Sequence, residues 1–399
     1  MWYKIPFESH YKQLGKKMSV FKKIFHKFSG SVNLGRTDVQ SQSQEVICFR
    51  NMILEKLVIS LRNDPPENNL CTDYFINGEP AHTDYFYHFL VNFTDNISKF
   101  FDAYQKLEDK ASKDLFIDLI LYRILGHKFI KLPTNNEKHF RDRELAKSFD
   151  VGPSSLLAGS FGKPLRHFEF DYRDYKIKFD GDSASVAWSF FIKQYRLERE
   201  NINIMPERGD YVFDLGSCFG DTAIGFAADV GQEGKVFSFD FLPAHEKVFK
   251  FNIEQNPKML NQVVFCPYAV GDIDDFHKVQ KPSEAEQKIM PGASLVYGNV
   301  DTSNIPTITI DTYVKNNNIT KVDYIKMDIE GYELNALKGA KTVLERYKPK
   351  LGISAYHRNE DFYVLMKYID QLNLGYKFYF DHYTTHGCET VLYASVGGK

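Results

Sequence analysis

Apolar residues change their spacing near residue 205, and the change divides the chain into two unlike parts. Over residues 45–130 the spacing is helical. Val46 to Leu61 carries apolar residues on helical faces and stops at Pro65-Pro66. Asp84 to Leu107 predicts a second long helix rich in Phe and Tyr, and Ala111 to Leu125 a third, closed by Gly126. Phe168 to Phe179 alternates strictly and predicts a hairpin with Arg173-Asp174 near its turn. Val186 to Tyr195 is apolar and predicts a helix that brings Tyr195 and Glu198 towards the glycine-bearing turn that follows. Beyond residue 205 short apolar strands alternate with helices, the pattern of parallel βαβ units under right-handed connections. The predicted strands are Tyr211–Leu215, Lys235–Phe239, Val263–Cys266, Val322–Ile329 and Leu351–Tyr356, with helices over Thr222–Ala228 and Tyr332–Tyr347. Tyr376–Phe380 and Thr390–Ala394 read as a closing antiparallel pair. The expected organisation is a leader and linker over 1–44, a helical accessory domain over 45–130, a connector with a hairpin over 131–204, and an α/β domain over 205–399.

Composition adds limits rather than chemistry. Hydrophobic content of 43%, charged content of 26% and a formal net charge of -2 describe an ordinary globular chain with no basicity to suggest a nucleic-acid partner. The five cysteines (Cys48, Cys71, Cys218, Cys266, Cys388) form no CxxC pair, so neither a disulfide framework nor a zinc site is expected and a reducing cytoplasm is the default. No apolar run approaches the roughly 18–20 residues of a membrane span. Residues 1–30 are basic, and Phe21, Ile24, Phe25 and Phe28 fall opposite Lys22, Lys23, His26 and Lys27 at helical spacing. Such a helix either lies on an anionic membrane surface, which would make the protein peripheral at the inner membrane, or docks on its own chain. His82, His88 and His127 in the helical half read as structural or exposed. Nothing in the sequence specifies an oligomeric state.

The candidate chemistry begins at Tyr211–Asp240. An apolar strand ends in Asp214, and Gly216 and Gly220 follow at the spacing Asp-x-Gly-x-x-x-Gly, which is the turn of S-adenosylmethionine (SAM) methyltransferases and not the G-x-G-x-x-G of dinucleotide enzymes. Gly216 allows a tight turn and Gly220 a close helix. The turn and its flanks, Asp214, Gly216, Ser217, Gly220, Asp221 and Thr222, are the candidate cofactor contacts. Backbone N–H groups there suit a carboxylate, while Asp214 and Asp221 suit an ammonium. Asp240, with Phe241 after it, stands at the distance of an acid that accepts from ribose hydroxyls. Ala269 and Val270 would pack on the adenine.

The strand through VDYIKMDI delivers acids at its carboxyl end, and the next strand ends in Tyr356-His357-Arg358. Asp328 and His357 are therefore candidates for the base that takes a proton from an alcohol acceptor, Asp328 also serves as a candidate cofactor contact, and Glu330 stands at the same edge. A divalent cation on Asp328 and Glu330 finds no further acids or histidines at ligand spacing, so no metal is expected. Neither G-x-G-x-x-G nor a Tyr-x-x-x-Lys pair supports a nucleotide-sugar dehydrogenase or epimerase. A non-catalytic scaffold with this fold is the other alternative.

The chain resembles the FkbM family of SAM-dependent methyltransferases over about 205–396. The most specific segments are TIDTYV (309–314) and VDYIKMDIEGYELNALKGA (322–340), with GISAYHRNEDF (352–362) and ETVLYA (389–394) behind them. The resemblance implies a class I, Rossmann-like seven-stranded α/β sheet following a mainly helical N-terminal domain, SAM as cofactor, and O-methylation, commonly of sugar hydroxyls in a polysaccharide, glycolipid or related glycan precursor. It also implies SAM contacts at Asp214, Gly216, Gly220 and Asp240, and an active centre at Asp328 and Glu330.

Overall fold

The structure, a computed structural model, describes residues 43–63, 66, 83–156, 164–277 and 305–397. The basic helix expected at residues 18–28 lies outside them, as does Cys71. Four helices open the described chain: α1 (Gln44–Arg62), α2 (Thr83–Asp95), α3 (Ile97–Lys106) and α4 (Lys110–Leu125). Ser43 caps α1 by accepting from the Val46 N–H, Asp109 caps α4 by accepting from the Ser112 N–H, and Gly126 ends α4 at φ 79°. The long helix expected over Asp84–Leu107 is broken at Asn96, whose side-chain amide donates to the Asn92 carbonyl while its backbone leaves helical geometry (φ -120°, ψ 24°). An amide side chain that competes for backbone partners accounts for the break. A fifth helix, α5 (Glu137–Ser148), occupies part of the segment read as connector. The predicted hairpin is present as Arg166–Tyr172 paired with Tyr175–Gly181. After it, Ser183–Val186 is α-helical, and Ala187–Ile192 widens into a π-helical turn that Lys193 ends at φ 60°.

The central sheet comprises β1 (Tyr211–Leu215), β2 (Lys235–Phe239), β3 (Val263–Cys266), β4 (Tyr324–Met327), β5 (Lys350–Ser354), β6 (Lys377–His382) and β7 (Thr390–Ser395). Its order is β3-β2-β1-β4-β5-β7-β6. Strands β1 to β5 are parallel, and β7 and β6 close the sheet antiparallel. Covered on both faces, the inner strands are mostly apolar, as buried parallel strands are, with buried polar exceptions such as Asp214, Ser238 and Lys326. The order reverses between β1 and β4, so a crevice opens where their carboxyl ends diverge, the usual place for a ligand in an open α/β sheet.

Helix α6 (Asp221–Val230) follows β1, and α7 (Pro243–Glu254) follows β2. On the other side of the reversal come α8 (Ile310–Asn316), α9 (Glu333–Gly339), α10 (Lys341–Tyr347) and α11 (Asp361–Gln371). The single helix expected over Tyr332–Tyr347 divides at Ala340 (φ -108°) because Gly339 sits against the Gly271 backbone, where a Cβ would lie 2.0 Å from the carbonyl oxygen. The N-terminal helices share one continuous core with the sheet: Phe89, Phe100 and Phe116 pack with Phe362 of α11 and Phe380 of β6. On the opposite face the hairpin packs with α6 and α7 in a second cluster. Among the described residues no helix is long and apolar enough to cross a membrane.

Candidate functional site

The glycine turn is a point of backbone contact between β1 and β4. Gly216 has φ 85°, and a Cβ there would fall 1.9 Å from the Asp328 carbonyl oxygen, so only glycine fits. Gly220, at φ 88°, precedes α6 and lies under the Phe249 ring, 2.9 Å from where its Cβ would be. Both glycines thus take the roles expected from their spacing. Lys326, on β4 and 1% exposed, reaches across and donates to the carbonyls of Leu215 (3.1 Å) and Gly216 (2.6 Å) while pairing with Asp214 Oδ1 at 3.2 Å. Asp214 also accepts from the Thr222 hydroxyl at 2.8 Å and is wholly buried, so both residues brace the turn from beneath. The buried Ser217 hydroxyl has no hydrogen-bond partner.

Asp240 follows β2. It accepts from the Cys218 N–H (3.0 Å) and the Leu242 N–H (2.9 Å), and pairs with His245 Nδ1 at 2.9 Å. A carboxylate offers about four acceptor positions, so these contacts leave one for a ligand hydroxyl. Burial alone would depress His245, but Cys218 and Asp240 raise its pKa to about 11. Asp221 is half-buried, accepts from the Ser189 hydroxyl at 2.5 Å, and is pushed up to about 6 by burial. Phe241, next to Asp240 in sequence, is half-buried, and Ala269–Val270 pair with residues 307–308 in a separate small sheet.

An acidic network occupies the ends of β4, β5 and β7. Asp328 accepts from the hydroxyls of Tyr195 (2.8 Å) and Tyr356 (3.3 Å). The Tyr356 hydroxyl also lies 3.1 Å from Glu389, so its one proton is shared between the two carboxylates; Gln194 donates to Glu389 at 2.6 Å, and the Tyr195 and Ser354 hydroxyls lie 3.0 Å apart. His357 stands among three carboxylates: its Nε2 is 3.4 Å from Asp328 Oδ1 and 3.6 Å from Glu330 Oε2, and its Nδ1 is 3.0 Å from Glu333 Oε1. Burial opposes its charged form, yet Glu333, Glu330 and Asp328 together hold its pKa well above the usual imidazole range. Burial raises Glu330 to about 7, and burial with the Asp328 charge does the same for Glu389. For Asp328 burial acts upward, but Lys326 and His357 outweigh it and keep the carboxylate below its ordinary range.

Asp328, Glu330 and His357 therefore meet at one edge, as their positions at strand ends suggest. Glu198, by contrast, faces solvent in the ribbon Leu197–Arg199. Sequence reasoning missed Glu333, Glu389, Gln194 and Tyr356 as members of this network, and Lys326 as the clamp on the turn. The signal was present, since Glu333 and Glu389 are acids inside the two segments EGYE and ETVLYA. Their meeting depends on folding, because β7 must return beside β5 to bring Glu389 to Tyr356.

Residues 214–378 match the family model described as the methyltransferase FkbM domain. Among solved structures, the chain is similar to a methyltransferase FkbM from Methylobacillus flagellatus (18% identity, TM-score 0.47, 76% of this chain and 60% of that one). It is also similar to an O-methyltransferase from Bacillus cereus in complex with SAH (13% identity, TM-score 0.31, 47% and 74%) and to fibrillarin from Aeropyrum pernix (13% identity, TM-score 0.30, 47% and 67%). The chain thus spans 60% of the length of the first of these. No curated protein matches it. The matched stretch spans the glycine turn, the acid-bearing end of β4 and the end of β5.

Proposed function

We propose that the protein transfers a methyl group from SAM to a hydroxyl of a carbohydrate or glycan precursor. The observation that carries this reading is the backbone contact of Gly216 with Asp328, which sets a nucleoside-cofactor turn directly against a cluster of proton acceptors. The residues fit the donor. The unpartnered Ser217 hydroxyl and the turn backbone suit its carboxylate, half-buried Asp221 its ammonium, the free acceptor position of Asp240 a ribose hydroxyl, and Phe241, Ala269 and Val270 the adenine. Asp214, Thr222 and Lys326 support the turn beneath these contacts. SAM supplies an electrophilic methyl on a sulfonium, so the chain's task is alignment and exclusion of water.

On the acceptor side, Asp328 stays ionised between two tyrosine hydroxyls and orients a donor hydroxyl. Glu330, poised at about 7, takes its proton near neutral pH. The alternation of carboxylates with Tyr195, Tyr356 and Gln194 suits an acceptor bearing several hydroxyls, which supports the sugar reading. Calorimetry with S-adenosylhomocysteine is expected to show binding that Asp240→Ala abolishes. Binding of NAD in its place would overturn the proposal in favour of a nucleotide-sugar enzyme. Transfer of labelled methyl into a fractionated cell-envelope extract tests the acceptor.

A further inference from the structure

The geometry points to a divalent-cation site formed by Asp328, Glu333 and His357. Each offers one donor atom, and the three atoms lie within 4.8 Å of one another. Coordination at about 2.1 Å places opposed donors ~4.2 Å apart and adjacent ones closer, so side-chain rotation that draws the three atoms together completes the set. His357 is 4% exposed and neither ring nitrogen makes a hydrogen bond; its 3.0 Å approach to Glu333 Oε1 is a charge contact that misses hydrogen-bond geometry. Glu333 is 1% exposed, with Oε2 also unpartnered. His357 is held there by charge contacts alone and Glu333 Oε2 has no hydrogen bond, an incomplete arrangement for buried ionisable groups. One proton on His357 sets a single positive charge against three carboxylates, whereas a dication offsets two of them and uses the vacant lone pairs.

The supports a metal ligand needs are already in place. Glu333 Oε1 is fixed by the N–H groups of Ile329 (2.9 Å) and Gly331 (3.4 Å), and Asp328 by the hydroxyls of Tyr195 and Tyr356. Two carboxylates and one imidazole favour a borderline transition cation such as Mn2+ or Zn2+ over Mg2+ or Ca2+. The Asp328 side chain is 25% exposed, so the open coordination positions face the crevice. There the cation would bind and polarise the acceptor hydroxyl, a consequence that rests on the methyl-transfer reading, although cation binding itself does not.

The test is titration of the chelator-treated full chain with Mn2+ alone, followed by electron paramagnetic resonance. One Mn2+ per chain is expected, with nitrogen coupling from an imidazole in the pulsed spectrum. His357→Gln and Glu333→Gln are each expected to weaken binding at least about 10-fold. S-adenosylhomocysteine binding, measured on the same samples, reports folding and the donor site separately. Absence of bound Mn2+ or of nitrogen coupling in the wild type overturns the inference and leaves the donor reading standing, as does unchanged affinity in variants that still bind S-adenosylhomocysteine. Mn2+ binding without S-adenosylhomocysteine binding supports the site and overturns the donor reading.

Discussion

Lys326 is the residue on which the glycine turn depends most. It spends its charge inside the sheet, on Asp214 and on two carbonyls of the turn, with no exposed partner to take its place. Lys326→Met keeps much of the volume but strands the Asp214 carboxylate. Loss of one partner of a buried ion pair costs about 3–5 kcal/mol, so a corresponding fall in stability is expected by urea unfolding, together with weaker binding of S-adenosylhomocysteine. Gly216→Ala is expected to fail differently. Its Cβ would strike the Asp328 carbonyl, so the ends of β1 and β4 must separate. Turnover should then fall more than donor affinity, which a comparison of kcat with calorimetric Kd would reveal.

At the scale of elements, α4 braces the acidic network from behind. Its Arg123 is 1% exposed, lies over the Phe362 ring at 4.9 Å, and donates to the carbonyls of Tyr356 (3.1 Å) and Gly387 (3.0 Å). These carbonyls belong to the segments that carry Tyr356, His357 and Glu389. Arg123→Met leaves two buried carbonyls unpaired at ~1–3 kcal/mol each, and methyl transfer is expected to fall while S-adenosylhomocysteine binding holds. The apolar periodicity of α4 and of β1 to β7 was legible in the sequence because burial dictates it. The breaks at Asn96 and Ala340 were not, since each depends on one local competitor or one close packing contact. The glycine turn was legible for a related reason: its glycines and acids lie within residues 214–221 of one strand-turn-helix. The acceptor network was legible only in part, because Asp328, His357, Glu389 and Tyr195 come from four distant segments whose meeting depends on the sheet order. Arg123 showed in the sequence as a single basic residue near a helix end, with nothing to mark it as buried.

Across the whole molecule, stability should depend on pH through two buried imidazoles. Burial depresses His382 to about 3 and His139 to about 4, against about 6.5 for an exposed imidazole. The unfolded chain therefore binds these protons first. Their contribution is complete above about pH 6.5 and is lost as pH falls towards 4, with a slope of up to ~1.4 kcal/mol per pH unit for each imidazole. Urea midpoints of wild type and His382→Gln, measured between pH 7 and 5, should converge as the pH drops; parallel curves would refute the assignment. The core shared by the helical layer and the sheet bears on how this protein can be handled. A chain trimmed to begin at residue 205 would bare Phe362, Tyr363 and Phe380 as a continuous aromatic surface, which favours aggregation. It would also lose the arginine that steadies the acceptor side. The α/β half is therefore not a portable cassette, and fusions or grafts that aim to redirect it must carry α1 to α4 along.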